Sequence, residues 1–226
     1  MNSSLESSHQ HKLTQARYDR LSKVYNLISG KWEDRHRLLG IRKLALKPGL
    51  KVLEIGTGTG KALPTLANGV SPTGNVTGFD ISLGMLSVAH AYIQDTSNAE
   101  IIHLLAGDAC QMPFQDDWFD VLFFSFTLEL FSDEEIPVVL SECLRITNPG
   151  GWICVVSLSK SSKDTIMLHL YEWLQKIFPQ WIDCRSILVE SIIRNAGFLI
   201  STIQHCSLIG LPVEIVCAQK PSLTVG

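Results

Sequence analysis

Along this chain short, nearly continuous apolar runs alternate with longer stretches whose apolar positions fall three and four apart. The short runs, bounded by turn residues, read as buried strands, and the longer spacing reads as amphipathic helices. Strands are expected over 51–55, 75–79 (stopping at Asp80), 100–105, 119–124 and 152–158. The fourth is apolar throughout, as a strand covered on both faces should be. Between them the pattern predicts helices over 61–67, over 82–94 with Met85, Leu86 and Ala89 on one side, and near 134–146 with Val139, Leu140, Cys143 and Leu144. Pro137 belongs in the first turn of that last helix rather than deeper inside it. Asn148, Pro149, Gly150 and Gly151 make a turn into the fifth strand.

Two flanking regions complete the pattern. Residues 14–29 place Tyr18, Leu21, Tyr25 and Ile28 on one helical stripe, with Gly30 as a stop, and a second helix is expected over 32–46 before Pro48 and Gly49. Beyond the fifth strand, 164–178 carries Ile166, Leu170, Trp173, Leu174 and Ile177 on one face, and another helix over 185–195 ends near Gly197. The last strands, 199–205 and 213–219, are joined by 206–212, which is too short for a parallel crossover, so they form an antiparallel pair. The expected fold is α/β: a Rossmann-like, mostly parallel seven-stranded sheet with helices on both faces and a C-terminal antiparallel hairpin.

Length and composition narrow this further. At 226 residues, 46% hydrophobic and 18% charged, the chain suits one globular domain. The expected organisation is a disordered lead-in over 1–13 and a single domain over 14–226. Within it, 14–47 forms a helical lid and 160–185 an acceptor-side insertion. A net charge of −3, with no long Lys/Arg run, gives no footprint for a nucleic-acid backbone. The six cysteines (Cys110, Cys143, Cys154, Cys184, Cys206 and Cys217) form no C-x-x-C pair, so no metal is expected and buried reduced thiols of a cytoplasmic protein are. His9 and His11 sit in the polar lead-in. No apolar run is long enough to span a membrane, and the apolar faces near 21–28 and 166–177 lack the basic opposite face of a membrane-surface helix.

The chemistry concentrates in Glu54-Ile55-Gly56-Thr57-Gly58-Thr59-Gly60. Strand, glycines and helix follow one another, so a ligand can approach backbone N–H groups at a helix start. The spacing is G-x-G-x-G, not the G-x-G-x-x-G that seats a dinucleotide pyrophosphate. Glu54, just ahead of the glycines, would repel phosphate but suits a cationic, amino-bearing ligand such as S-adenosylmethionine. Asp80 ends the second strand, where a carboxylate accepts both hydroxyls of a ribose. Asp108, after the third strand, is placed to accept from an adenine amino group.

Taken together these residues resemble class I S-adenosylmethionine-dependent methyltransferases, in the branch related to ubiquinone/menaquinone-biosynthesis (UbiE-type) methyltransferases. The resemblance rests on VLEIGTGTG at 52–60, VTGFDIS at 76–82, GDACQMPF at 107–114, FDVLFFSFTLEL at 119–130, ITNPGGWICVVSLS at 146–159 and RYDRLSKVYN at 17–26, and runs from about Ala16 to Gln219. It implies that Gly56, Thr57, Gly58 and Gly60 line the methionine and ribose part of the cofactor and that Glu54 supports its amino-acid end. Asp80 would hold the ribose, with Ile81 and Met85 against the adenine. Gly107, Asp108 and Ala109 would read the adenine edge. Ser125 and Phe126 would floor the transfer chamber, and Tyr18 and Tyr25 would belong to the lid. The segments Ser125–Glu129 and 178–185 depart from the quinone enzymes where acceptors bind.

The implied reaction is in-line methyl transfer to a small, hydrophobic or aromatic acceptor, in a pocket between the N-terminal helices and 160–185 where Trp173 and Trp181 supply apolar walls. Tyr25, Glu129, His169 and Asp183 are candidates for a general base, which is needed only when the acceptor must lose a proton. The alternatives are a non-catalytic S-adenosylmethionine-binding partner subunit and, less well supported, a nicotinamide-dependent oxidoreductase. The sequence leaves the acceptor atom and the oligomeric state open.

Overall fold

A computed structural model describes residues 30–159, 186–208 and 211–222. Seven strands form one sheet in the order β3-β2-β1-β4-β5-β7-β6. They are β1 (Lys51–Ile55), β2 (Asn75–Asp80), β3 (Ile102–Ala106), β4 (Phe119–Ser125), β5 (Thr147–Leu158), β6 (Leu199–Leu208) and β7 (Leu211–Gln219). The first five pair in parallel, and β7 runs antiparallel to both β5 and β6. The helices are α1 (Gly30–Lys43), α2 (Leu63–Val70), α3 (Leu83–Ile93), α4 (Glu135–Ile146) and α5 (Val189–Asn195). The expected architecture is therefore present, hairpin included.

Alternate residues of the strands point to opposite faces, so each strand feeds two cores. Leu53, Ile55, Leu122, Phe124, Ile153, Val155, Val216 and Ala218 pack with Val139, Leu140 and Cys143 of α4 and Ile193 of α5. Val52, Val121, Phe123, Cys154, Val156, Ile215 and Cys217 pack with Ile41 of α1 and Leu63 and Leu66 of α2. A Cβ built on Gly40 would stand 2.5 Å from Val156 Cγ2, so α1 rests with its backbone close against β5. That docking sets the start of α1 over the ends of β1 and β4.

Several boundaries differ from the sequence reading. Gly30 is the first described residue of α1, the helix expected before it lying outside the described residues, and α1 stops at Lys43, three residues short of the expected end, with Ala45 in the left-handed region at φ 44°. Glu100 lies in a single 3-10 turn, Ala99–Ile101, entered through Asn98 at φ 62°, so β3 starts at Ile102. Asn148–Gly151 is not a free turn. Gly150 N–H donates to Lys220 O at 3.0 Å and Lys220 N–H to Gly151 O at 2.9 Å, so the stretch joins β5, with an irregularity against β4 between Phe119 and Val121. The strands of the hairpin run on until Leu208 pairs with Leu211, leaving a link of 209–210 in place of 206–212. α5 begins at Val189, not 185.

The start of α4 shows why Pro137 is tolerated. Ser132 and Glu135 cap each other reciprocally: Glu135 N–H donates to Ser132 Oγ at 3.2 Å and Ser132 N–H to Glu135 Oε2 at 2.8 Å. This is the S-x-x-E arrangement that satisfies first-turn donors. Pro137 follows as the third helical residue. Of the cysteines, Cys143, Cys154 and Cys217 are buried and Cys110 and Cys206 partly so, all as free thiols. Cys184, the lead-in, the 14–29 stripe and the 164–178 helix lie outside the described residues. Among the described residues no helix is long and apolar enough to cross a membrane.

Candidate active site

The loop after β1 turns on its glycines. Gly56 has φ 68°, and a Cβ there would fall 2.1 Å from Thr127 Cγ2, so only glycine lets the loop pass the turn that follows β4. Gly58, at φ 53°, would meet nothing within 4 Å, which leaves its face open to a ligand. One cavity lies over this loop. Glu54, Gly56, Thr57, Gly58, Asp80, Ile81 and Met85 line it, and so do Gly107, Asp108, Ala109, Ser125 and Phe126. Gly60 does not. A Cβ there would meet Ala89 at 2.9 Å, so it serves the close packing of the loop on α3. Tyr18, Tyr25, Trp173, Trp181, His169 and Asp183 lie outside the described residues.

The acids are held before any ligand arrives. Asp80 Oδ2 accepts from Gly58 N–H at 2.7 Å and Oδ1 from Ser82 N–H at 2.9 Å. Ser82 in turn caps α3 through Met85 N–H at 3.1 Å. An ionised carboxylate has about four acceptor positions, so ribose hydroxyls can still donate to Asp80. Asp108 Oδ1 accepts from Cys110 N–H at 2.8 Å. The loop carrying it is clamped by Arg145, which donates to Phe114 O at 2.7 Å and Met112 O at 3.0 Å while pairing with Glu142 and Asp116. Hydrogen bonds from Arg145 hold the Glu142 carboxyl below the usual range.

Glu54 is buried and accepts from Thr57 Oγ1 at 2.7 Å. Burial pushes its carboxyl up to about 7, opposed by the Thr57 hydroxyl and the Arg37 charge and reinforced by Asp80. A group so placed gains from a cation beside it. The residues fit S-adenosylmethionine on this ground: its sulfonium and ammonium are the charges such a carboxyl lacks.

Glu33, Arg37 and Lys61 also line the cavity, and sequence reasoning missed them. Arg37 pairs with Glu33 at 3.6 Å and with Asp34. Burial pushes Glu33 up to about 7 against the pull of Arg37 and Lys61. Glu33 and Arg37 lie four apart on one face of α1, but only the docking of that helix points them at the cavity. Thr127, Leu130, Phe131 and Glu135 complete the wall below β4. Phe126, buried at 4% exposure, lines the cavity and holds φ 54°, an uncommon conformation for a bulky residue. Glu129, by contrast, is wholly buried on the 3-10 turn Leu128–Leu130 and does not appear on the cavity wall.

Residues 6–204 match the ubiE/COQ5 methyltransferase family. The chain belongs to that family. A demethylmenaquinone methyltransferase of Lysinibacillus sphaericus is 32% identical over 156 residues, covering 69% of this chain and 64% of that protein. One of Lactococcus lactis is 28% identical over 203 residues, 80% of this chain and 77% of that protein. The chain thus spans about two thirds to three quarters of the length of these relatives. A SAM dependent methyltransferase of Aquifex aeolicus has the same fold, with a TM-score of 0.65 at 22% identity over 89% of this chain and 97% of that one. The resemblance drawn from the motifs is borne out, and with it the class I S-adenosylmethionine-dependent family and its mostly parallel seven-stranded sheet. Among the described residues no cluster of His, Cys, Asp and Glu is arranged to hold a metal ion.

Proposed function

We propose that the protein transfers the methyl group of S-adenosylmethionine to a small, hydrophobic aromatic acceptor, and that a reduced quinone ring is the acceptor class to try first. One observation carries the reading: Glu54, Asp80 and Asp108, from the ends of three adjacent strands, converge with the G-x-G-x-G loop on a single cavity. The names of the demethylmenaquinone methyltransferase relatives support the acceptor class.

In this reading Asp80 takes the ribose hydroxyls, Asp108 and Ala109 the adenine edge, and Ile81 and Met85 its flat faces. Glu54 offsets the positive amino-acid end, while Arg37 and Lys61 take its carboxylate. S-adenosylmethionine supplies an already activated methyl group. The protein's share is therefore to hold the acceptor in line with it and to exclude water. Phe126, Leu130 and Phe131 give that end of the cavity its apolar character.

Calorimetric titration with S-adenosylhomocysteine, with NADH as control, tests the cofactor. Binding of the first and none of the second is expected, and the reverse would return the glycine loop to a nicotinamide reading. Transfer of labelled methyl from S-adenosylmethionine to a reduced short-chain demethylmenaquinone tests the acceptor. Cofactor binding without turnover of any aromatic acceptor would favour the non-catalytic partner.

A further inference from the structure

Between β3 and β4 the chain runs over 107–118 without helix or strand, and at its start Gly107, Asp108 and Ala109 line the cavity. A stretch with no ladder of its own is ordinarily among the most mobile parts of a fold. Here it is tied at both ends. Gly107 N–H donates to Asp80 O at 3.0 Å, and Cys110 N–H to Asp108 Oδ1 at 2.8 Å. At the other end the anchor is a pair of side chains from α4. Glu142 Oε2 accepts from Met112 N–H at 2.8 Å. Arg145 donates to Met112 O at 3.0 Å, to Phe114 O at 2.7 Å, to Asp116 Oδ1 at 2.8 Å, and to the two oxygens of Glu142 at 2.7 and 2.8 Å.

A guanidinium has five N–H donors in a fixed fork, and these five bonds use all of them. None goes to a carbonyl of α4, where a basic side chain in the last turn could serve as a cap. The whole fork is turned on the loop and on the carboxylate that steadies it. Phe114, whose carbonyl is held in this way, packs edge-on against Phe79 with 5.6 Å between ring centroids, and Phe79 lines the cavity. A Cβ on Gly107 would stand 2.5 Å from Phe79 Cζ. The clamp therefore reaches the cavity by two routes, along the backbone from Met112 back to Ala109 and through the ring contacts of Phe114 and Phe79. Neither Glu142 nor Arg145 lines the cavity itself.

We propose that Arg145, steadied by Glu142, is a positioning residue for the adenine of the cofactor: it fixes the loop so that Asp108 and Ala109 meet the adenine edge, and so sets the preference for adenine over a purine lacking its amino group. This rests on the placement of S-adenosylmethionine given above. Reading a base edge by hydrogen bonds requires the reading groups to be held within roughly 0.5 Å. Lysine cannot replace the clamp, because three donors on a flexible stem do not serve two carbonyls and two carboxylates at once. Cys110, between the two anchors, gives a measure of the loop that needs no ligand. Burial, with the neighbouring Asp108 and Glu135 charges, pushes its thiol up to about 12, so it reacts slowly while the loop is held.

Wild type, Arg145→Gln, Arg145→Lys and Glu142→Gln would be titrated by calorimetry with S-adenosylhomocysteine and with S-inosylhomocysteine, in which an oxo group replaces the adenine amino group. Wild type should favour S-adenosylhomocysteine by about tenfold or more. In Arg145→Gln its affinity should fall about tenfold while that for S-inosylhomocysteine stays within about twofold, so that the preference closes. Arg145→Lys should follow it, and Glu142→Gln, the milder change should an Arg145 variant fail to fold, should lose about threefold. Without ligand, alkylation of Cys110 by iodoacetamide, mapped by mass spectrometry, should be about fivefold faster in the Arg145 variants. A preference kept in the variants, an equal weakening of both ligands as a merely structural loss would give, or unchanged Cys110 alkylation would overturn the positioning role and leave the cofactor reading intact. No preference for S-adenosylhomocysteine in wild type would instead remove the adenine placement, and this role with it.

Discussion

The two halves of the sheet meet at one cavity but are finished differently. On the β1–β2–β3 side the carboxyls that line the cavity already have hydrogen-bond donors: Glu54 from Thr57, Asp80 from Gly58 and Ser82, Asp108 from Cys110. On the β4–β5 side the buried atoms Ser125 Oγ, Glu129 Oε2 and Ser159 Oγ have no hydrogen-bond partner among the described residues. Groups locked in advance lower the cost of ordering a site on binding, as the proposed cofactor role of the first three requires, whereas of the second three only Ser125 lines the cavity.

The severest test joins the halves at their seam. Gly56→Ala places a Cβ against Thr127 in a backbone conformation that alanine resists. A loss of about 3 kcal/mol or more in urea unfolding, and of measurable S-adenosylhomocysteine binding, is expected. A tolerated alanine would mean that loop and turn are not one unit. Next comes pH. Burial raises Glu33, Glu54 and Glu129 from 4.5 to about 7, so the folded state favours their protonated forms. That stability is fully present below about 4.5 and is lost as pH rises through about 7. Unfolding at pH 5 and pH 8 should differ by on the order of 3 kcal/mol for each fully buried group, and Glu54→Gln and Glu129→Gln should each flatten the curve. Added S-adenosylhomocysteine should offset the loss at pH 8 through Glu54 but not through Glu129.

Asp80→Ala addresses the cofactor half alone. Calorimetry should show S-adenosylhomocysteine binding weakened about ten- to a hundredfold, or roughly 1.5–3 kcal/mol. The smallest effects are the most diagnostic. Thr57→Val strips Glu54 of a donor and should cost about 1–2 kcal/mol in stability, whereas Ser125→Ala removes an atom that has no partner and should stay within about 0.5 kcal/mol. Equal costs in the two variants would erase the distinction between the halves.

Much of this was legible in the residues. The apolar runs at β1, β4 and β5 and the brevity of the link before β7 dictate the sheet, and the three acids are visible because Glu54 stands just ahead of the glycines in β1, Asp80 ends β2 and Asp108 comes two residues after β3. What escaped depends on contacts between distant segments. Glu33 and Arg37 belong to a polar helix start whose direction is set only when Gly40 meets β5. The 3-10 turn before β3 follows from Asn98 adopting a left-handed conformation, which no periodicity announces. Asn148–Gly151 has the composition of a turn, but Lys220 pairs with it from 69 to 70 residues away. Glu129 could be singled out as an acid between two leucines, while its unpaired oxygen needed the fold to be seen.

The place of β7 has a consequence for how the chain is made. It is the latest of the seven strands in sequence, yet it lies inside the sheet, between β5 and β6, and its residues reach both cores. During synthesis β5 therefore stays an open edge until residues 211–219 have left the ribosome, with Val155, Val156 and their neighbours exposed along it. In that interval the strands that carry the cavity are already made while the far edge of β5 is open, and any other unpaired strand is a competitor of β7 for it.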